Sequence, residues 1–450
     1  MAQLLTVSTP SVTGNLRCAQ EPASNAGKFG ERSARTHLFH VTLRPERYPM
    51  HSCHLCGGSD LLPLIDFGNH PVAKHYLADR FGEQPTWPVR LFFCESCGLT
   101  QLVDSCPPEV LYDNYVTLSS WKFQPHVQHE IDIIRNLDGM GPSAKIIEIG
   151  CNDGMFLYQM SLSGYKNTLG VEPAKDAYDL SIAKSVNTLQ AFLSQALSKT
   201  IVEQYGKFDL FVSRQNLEHI SDLQGVVQSI GVLVKPNGFV LIEVPNYACN
   251  LRCQDYGLWE EHVNYFTGET LRHFLFLAGV ELIHEEIILF SGEGIFVIGR
   301  KVATVSRSLD YVAALRRKNV EYARHWPVFR RAIGEFLSSR KKAGKKIAVY
   351  GVGSRAFCLI NFADIASSID VIVDDQQEKQ NKFMPGGRVP IVPSDALYSE
   401  AIDICLLGVN TENEDKVIGK HAKWVQNGGT FWSVLPPSDR LLPVWQHNGE

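Results

Sequence analysis

The stretch that most limits the fold is "KIIEIGCNDGMFLYQM", Lys145 to Met160. An apolar run runs straight into a glycine-bearing turn, and a helix-period segment follows. That is the start of an open α/β sheet whose first turn faces a ligand. Gly150 and Gly154 let the backbone bend and approach closely, which a Cβ would hinder. The turn lacks the G-x-G-x-x-G spacing of a pyrophosphate cradle and carries acids where a dinucleotide would bring phosphates. Glu148 and Asp153 suit a cationic ligand group instead.

The later pieces arrive in the order such a sheet needs. "NTLGVEPA" reads as a second strand ending in Glu172, placed to take two ribose hydroxyls. "KFDLFVSRQNLEHI" is a further strand, and "LVKPNGFVLIEVPNY" is a turn feeding a late one. Together they predict a doubly wound domain binding S-adenosylmethionine (SAM), over residues 123–303. Its cofactor set is Glu148, Gly150, Asn152, Asp153, Gly154, Glu172, Pro173 and Asn216.

Upstream lie "CHLC" with Cys53 and Cys56, and "CESC" with Cys94 and Cys97, each followed by glycine. Two such knuckles give four thiolates to one ion, the closed tetrahedral site of structural Zn²⁺. "LLPLIDFG" and "PVRLFFCESC" read as strands of a zinc ribbon, so residues 50–122 form a zinc-binding domain. The eleven cysteines form an odd set, and a secretory h-region is missing; both point to metal ligands and free thiols, not to a disulfide framework.

Residues 1–49 hold six Arg/Lys against three Glu and show no periodicity. They read as a disordered tail, or as an upstream extension with translation starting at Met50; native peptides from before Met50 would reject the latter. A transit peptide is the weaker alternative, for want of an amphipathic face. After the methyltransferase-like segment, residues 304–344 read as a charged helical connector, and residues 345–450 as a Rossmann-like α/β domain. There "KIAVYGVGSRAFCLIN" is strand, turn and helix, and Gly351, Gly353 and Arg355 could meet a phosphate. A tight structural turn explains the same residues equally well.

With 44% hydrophobic and 20% charged residues, the chain has ample core for several domains. A net charge of −5 argues against nonspecific nucleic-acid binding, and no apolar run reaches membrane length. The expectation is a cytoplasmic α/β protein whose partners include neither nucleic acid nor membrane; oligomeric state stays open.

These fragments together resemble the deoxysugar C-methyltransferases that act on nucleotide-linked keto-sugars. The likeness runs from about Cys53 to the C-terminus, through "CHLCGG", "FGNHPVAKHYL", "IEIGCNDGMFL", "GVEPA", "EEHVNYF", "YGVGSRA" and "KQNKFMPGGRVPIV". It implies a zinc domain, a class I methyltransferase domain and a Rossmann-like domain, with SAM and structural zinc as cofactors and a nucleotide-sugar substrate. It also implies catalytic roles for Glu261 and His262 of "WEEHVNYF", His219 of "NLEHISD" and Tyr115 of "YVTLSS". Ser119, Ser120 and Trp259 would meet substrate. Three positions depart from the family: Thr117 replaces an aromatic, Trp259-Glu260 replaces Tyr-His, and Arg355 replaces Lys.

The expected chemistry is abstraction of a carbon-bound proton by His262, with Glu261 fixing that histidine. His219 and Tyr115 would stabilise the enolate oxygen. Three alternatives stay open: O- or N-methylation on the same scaffold, a divalent-metal site of Glu218, His219, Glu261 and His262, and a non-catalytic SAM-binding relative.

Overall fold

A computed structural model describes residues 51–107, 110–111, 124–290, 292–306 and 308–445. The first strands are β1 (Leu61–Pro71), β2 (Thr86–Cys94) and β3 (Thr100–Leu102), an antiparallel meander. Alternation sets the inner face: Ile65 and Phe67 of β1, and Val89 and Leu91 of β2, are buried.

The central sheet is built from β4 (Lys145–Ile149), β5 (Asn167–Val171), β6 (Thr188–Leu189), β7 (Phe208–Arg214) and β8 (Val234–Pro245). Its strands are near-continuous apolar runs because helices cover both faces, as in "KIIEI", where the four residues after Lys145 are all buried. The short strand β9 (Asn264–Tyr265) leaves this sheet altogether. It pairs antiparallel with β3, Thr100 opposite Tyr265, and so becomes the fourth strand of the N-terminal meander. The chain then returns with β10 (Val280–Leu289) and β11 (Glu293–Lys301), giving the order β10-β11-β8-β7-β4-β5-β6.

Strand β11 runs antiparallel to β8, while β4 to β8 are parallel. A parallel sheet closed by one reversed hairpin is the class I methyltransferase topology. The direction of chain crossover changes between β4 and β7, so the turns after these two strands open on the ligand crevice.

The helix Val312–Lys342 spans 31 residues and buries one stripe, including Leu315, Tyr322, Trp326, Phe329, Ile333 and Leu337. Its stripe joins a core shared with β1, β2 and the C-terminal α/β unit. That unit follows with β12 (Ile347–Tyr350), β13 (Val371–Val373), β14 (Lys382–Phe383), β15 (Pro390–Val392), β16 (Ile404–Leu407) and β17 (Thr430–Ser433). Its order is β14-β15-β13-β12-β16-β17, parallel except at β14. Among the described residues no helix is long and apolar enough to cross a membrane.

Candidate active site

The two cysteine knuckles are near-copies. Gly57 N–H bonds the Cys53 carbonyl at 2.9 Å and Gly98 N–H bonds the Cys94 carbonyl at 2.8 Å. Both glycines sit at positive φ, which a side chain would resist. The turns bring the four Sγ atoms within 4.8 Å of one another, with Cys53 to Cys97 at 3.5 Å and Cys56 to Cys94 at 3.6 Å. Tetrahedral thiolates about 2.3 Å from zinc lie about 3.8 Å apart, so the set fits a structural Zn²⁺. The knuckles pack into the methyltransferase core beside Leu271 and Phe274.

At the cofactor turn Glu148 is buried with its Oε2 lacking a hydrogen-bond partner, and burial pushes its carboxyl up to about 8. A buried carboxyl with one oxygen unpaired, near the end of β4, fits the ammonium of SAM. Glu172, buried at the end of β5, takes the Asn152 and Ala174 amides, both at 2.9 Å, and Pro173 beside it is half-buried. Asn152 turns the chain at positive φ, its side chain accepting the Asp153 amide at 2.7 Å.

Four expected cofactor contacts have duties within the protein itself. Asp153 accepts the Met155 amide at 3.1 Å and pairs with Lys184 at 2.9 Å, so it caps the helix start rather than standing open to a cation. A Cβ on Gly150 would come within 2.5 Å of Asn216, and one on Gly154 within 3.0 Å of Ser181 and Val186. Close approach is therefore needed by the protein's own side chains. Asn216 donates to the Ile149 carbonyl at 3.2 Å and so clamps the turn after β7 onto the turn after β4.

That clamp brings the short 3-10 turn Leu217–His219 to the crevice, facing the loop Trp259–His262. The rings of His219 and His262 stand edge to face, 4.8 Å apart, and Trp259 closes the group at 4.4 Å from His262 and 5.6 Å from His219. His219 Nδ1 lies 3.0 Å from the Glu261 carbonyl oxygen. A carbonyl only accepts, so Nδ1 carries the proton and Nε2 keeps its lone pair. Burial, with help from Lys74, holds His219 down to about 4, and burial, His219, Lys74 and Arg355 hold His262 well below the usual imidazole range. Both rings are neutral near pH 7.

The expected roles shift accordingly. Glu261 orients His219 through its main chain, while its carboxylate faces Lys74 Nζ at 3.6 Å. Neutral His219 has its one N–H directed at the Glu261 carbonyl, which leaves Nε2 as an acceptor. Burial raises the Glu261 carboxyl to about 7, against the pull of Lys74. Glu218, His219 and His262 place one donor atom each within 4.8 Å of the others; Glu261 is not in that set. Tyr115, Ser119 and Ser120 lie outside the described residues.

In the C-terminal turn the Gly351 amide bonds the Val373 carbonyl at 2.8 Å, and the Val352 amide bonds Asp374 at 3.1 Å. A Cβ on Gly351 would meet Val409 at 2.7 Å, whereas Gly353 faces open space. The Arg355 guanidinium is held by Asp255 and by the Pro436 carbonyl at 3.3 Å. Gly351 thus has a structural duty, bonded to the Val373 carbonyl and packed against Val409, and Arg355 is held by Asp255.

Sequence reading missed Lys74, Asn264 and the role of Glu260. Buried Glu260 accepts the Ala73 amide and the Cys358 thiol, tying the N-terminal meander to the helix Ser354–Phe362. Asn264 donates to the Leu217 and Ile220 carbonyls at 2.9 and 2.7 Å and faces His54 Nδ1 at 2.8 Å. No spacing rule flags such residues, since their partners lie more than 40 positions away.

Residues 53–112 match a zinc binding domain family, residues 123–285 a methyltransferase domain family, and residues 314–436 the C-methyltransferase C-terminal domain family. The C-methyltransferase NovU of Streptomyces niveus is 24% identical over 405 residues, 86% of this chain and 96% of that protein. A ubiquinone biosynthesis O-methyltransferase of Chromobacterium violaceum is 30% identical over 125 residues, covering 26% of this chain and 53% of its own length. A solved SAM-dependent methyltransferase from Methanosarcina mazei is 13% identical and covers 40% of this chain and 99% of its own, at a TM-score of 0.31.

The strand order, the acid-bearing turn and the methyltransferase domain define a SAM-dependent methyltransferase, an enzyme with SAM and zinc as its cofactors. With the zinc module before that domain and the C-terminal module after it, the chain has the module order of a SAM-dependent C-methyltransferase related to NovU.

Proposed function

We infer that this C-methyltransferase acts on a nucleotide-activated keto-sugar, methylating the carbon beside the ketone through an enolate. The observation that carries the reading is the pair of neutral histidines, His219 and His262, set 4.8 Å apart on the turns beside the cofactor crevice. The sugar itself is taken from the resemblance of the quoted fragments to the deoxysugar enzymes.

A carbon accepts a methyl group only when it carries an electron pair. His262, neutral through its burial, takes the proton: the C–H bond breaks, its pair forms the C=C bond, and the carbonyl π pair moves to oxygen. His219, its Nδ1–H fixed by Glu261, offers Nε2 to a sugar hydroxyl and so orients the ring. Trp259 walls the group and keeps water off the enolate. Bound SAM supplies the methyl group from its sulfonium, and the S–C pair departs with S-adenosylhomocysteine.

The test is incubation with labelled SAM and a panel of nucleoside-diphosphate keto-sugars, with NMR location of the methyl. Label on a carbon beside the ketone is expected; label on oxygen or nitrogen overturns the reading. A His262→Asn variant should lose at least about 100-fold in kcat, the usual worth of a general base. Turnover near the wild-type value would remove His262 from the role.

A further inference from the structure

We propose that Lys74 is a catalytic residue that supplies the positive charge facing the enolate oxygen. This rests on the enolate reading above and adds to it an electrophile drawn from the described residues, to which Tyr115 does not belong. Moving a carbonyl π pair onto oxygen creates a full negative charge in a buried pocket, and such charge is costly unless a fixed dipole or cation faces it. His219 cannot do this, because its N–H is committed to the Glu261 carbonyl. Arg355 reaches the neighbourhood, yet its guanidinium is bound to Asp255. Lys74 stands inside the cluster: its Nζ is 3.6 Å from Glu261 Oε2 and 4.5 Å from the centre of the Trp259 ring.

The chain goes to some length to put it there. Lys74 is the central residue of a three-residue turn closed by the His75 amide on the Ala73 carbonyl, and its φ is +30°. A long-chain L-residue in that region costs of order 1–3 kcal/mol and persists where the surroundings impose it. The surroundings here are the bond from the Ala73 amide to Glu260 on one side and the aromatic face of Trp259 on the other. The side chain is 10% exposed, so its charge acts in a medium of low dielectric. The same charge weighs against a divalent cation on Glu218, His219 and His262, since it already depresses both imidazoles.

Electrons and protons balance with Lys74 as a bystander to bond making. His262 gains the proton, the sugar oxygen gains the charge, and the Lys74 ammonium keeps all three of its protons. When methyl transfer re-forms the carbonyl, the oxygen loses that charge and Lys74 releases it.

The experiment is solvent-deuterium wash-in at the carbon beside the ketone, with a panel of nucleoside-diphosphate 4-keto-6-deoxysugars, S-adenosylhomocysteine in the cofactor site, and NMR detection. Wild-type protein is expected to exchange at least one of them. Lys74→Met should slow that exchange by about 100-fold or more, the usual cost of removing one oxyanion partner, and Lys74→Arg should restore part of it. Calorimetric affinity for S-adenosylhomocysteine should stay within about twofold of wild type, since Lys74 lies outside the cofactor turn. Exchange by Lys74→Met within threefold of wild type overturns the proposal while leaving the enolate reading intact. Loss of exchange together with cofactor affinity, unrepaired by Lys74→Arg, makes Lys74 structural and also overturns it. Failure of the wild type to exchange any of the keto-sugars overturns the enolate reading and this proposal with it.

Discussion

At the scale of single residues, Glu261 is a pocket group whose ionisation falls near neutral pH. Burial raises its carboxyl to about 7, and Lys74 opposes the rise. The sign of the effect on rate follows from pocket charge. With Glu261 ionised, proton transfer leaves two ion pairs, Lys74 with Glu261 and protonated His262 with the enolate. Glu261 protonated leaves one uncompensated positive charge in a buried space. The methylation rate should therefore rise about tenfold per pH unit below about 7 and level off above it. Glu261→Gln should flatten that limb and lower the plateau. A variant that kept the limb would show that another group titrates. Of these residues, His262, Glu261 and His219 were visible only through the family resemblance of their fragments, because an imidazole beside a carboxylate is by itself more often a satisfied polar group. Lys74 stayed hidden: a single lysine among apolar neighbours and histidines looks like a solvated side chain until the turn that aims it inward is seen.

Elements differ in how plainly the sequence announces them. The strand Lys145–Ile149 coincides with its apolar run, since a strand buried on both faces can tolerate little else. The turn after it was equally readable, although the reason for its glycines was not: Gly150 makes room for Asn216, 66 positions later. The two-residue strand β9 had no signature at all. "VNYF" becomes a strand only because β3 offers an open edge, and that is a tertiary fact. Asn264 on β9 is 1% exposed and satisfies two carbonyls of the segment that carries His219, together with the His54 ring. Each buried polar group left unpaired costs about 1–3 kcal/mol, so Asn264→Ala should destabilise the protein by roughly 3 kcal/mol. The turnover should also fall, with SAM affinity kept, because the 3-10 turn would lose its brace while the cofactor turn keeps Asn216. Thermal melts and calorimetry check both halves; unchanged turnover would mean that the turn is rigid without Asn264.

For the whole molecule, the question is what a zinc ion does at a distance from the chemistry. The knuckles hold Leu55 and Leu99 in the core of the methyltransferase unit, beside Leu271 and Phe274. His54, inside the first knuckle, meets Asn264, and β3, just past the second, pairs with the strand that leaves His262. Lys74 and Ala73 leave the end of β1, so the small module also delivers one side of the pocket. Zinc is then a structural ion with a catalytic consequence: its loss should unfold two knuckles and release three of the pocket's supports at once. Binding of structural zinc is itself folding free energy, about 10 kcal/mol or more in small zinc modules, far beyond what one cavity or hydrogen bond contributes. A chelator strong enough to remove the metal should therefore abolish turnover in step with zinc release, measured as metal content against activity in the same samples. Cys97→Ser should give the same phenotype without chelator. A conventional metal cofactor at the histidines would behave differently, because activity would fall while the four-cysteine zinc was still bound. Full activity after quantitative zinc loss would separate the small module from the reaction and leave the placement of Lys74, Asn264 and His262 to the rest of the fold.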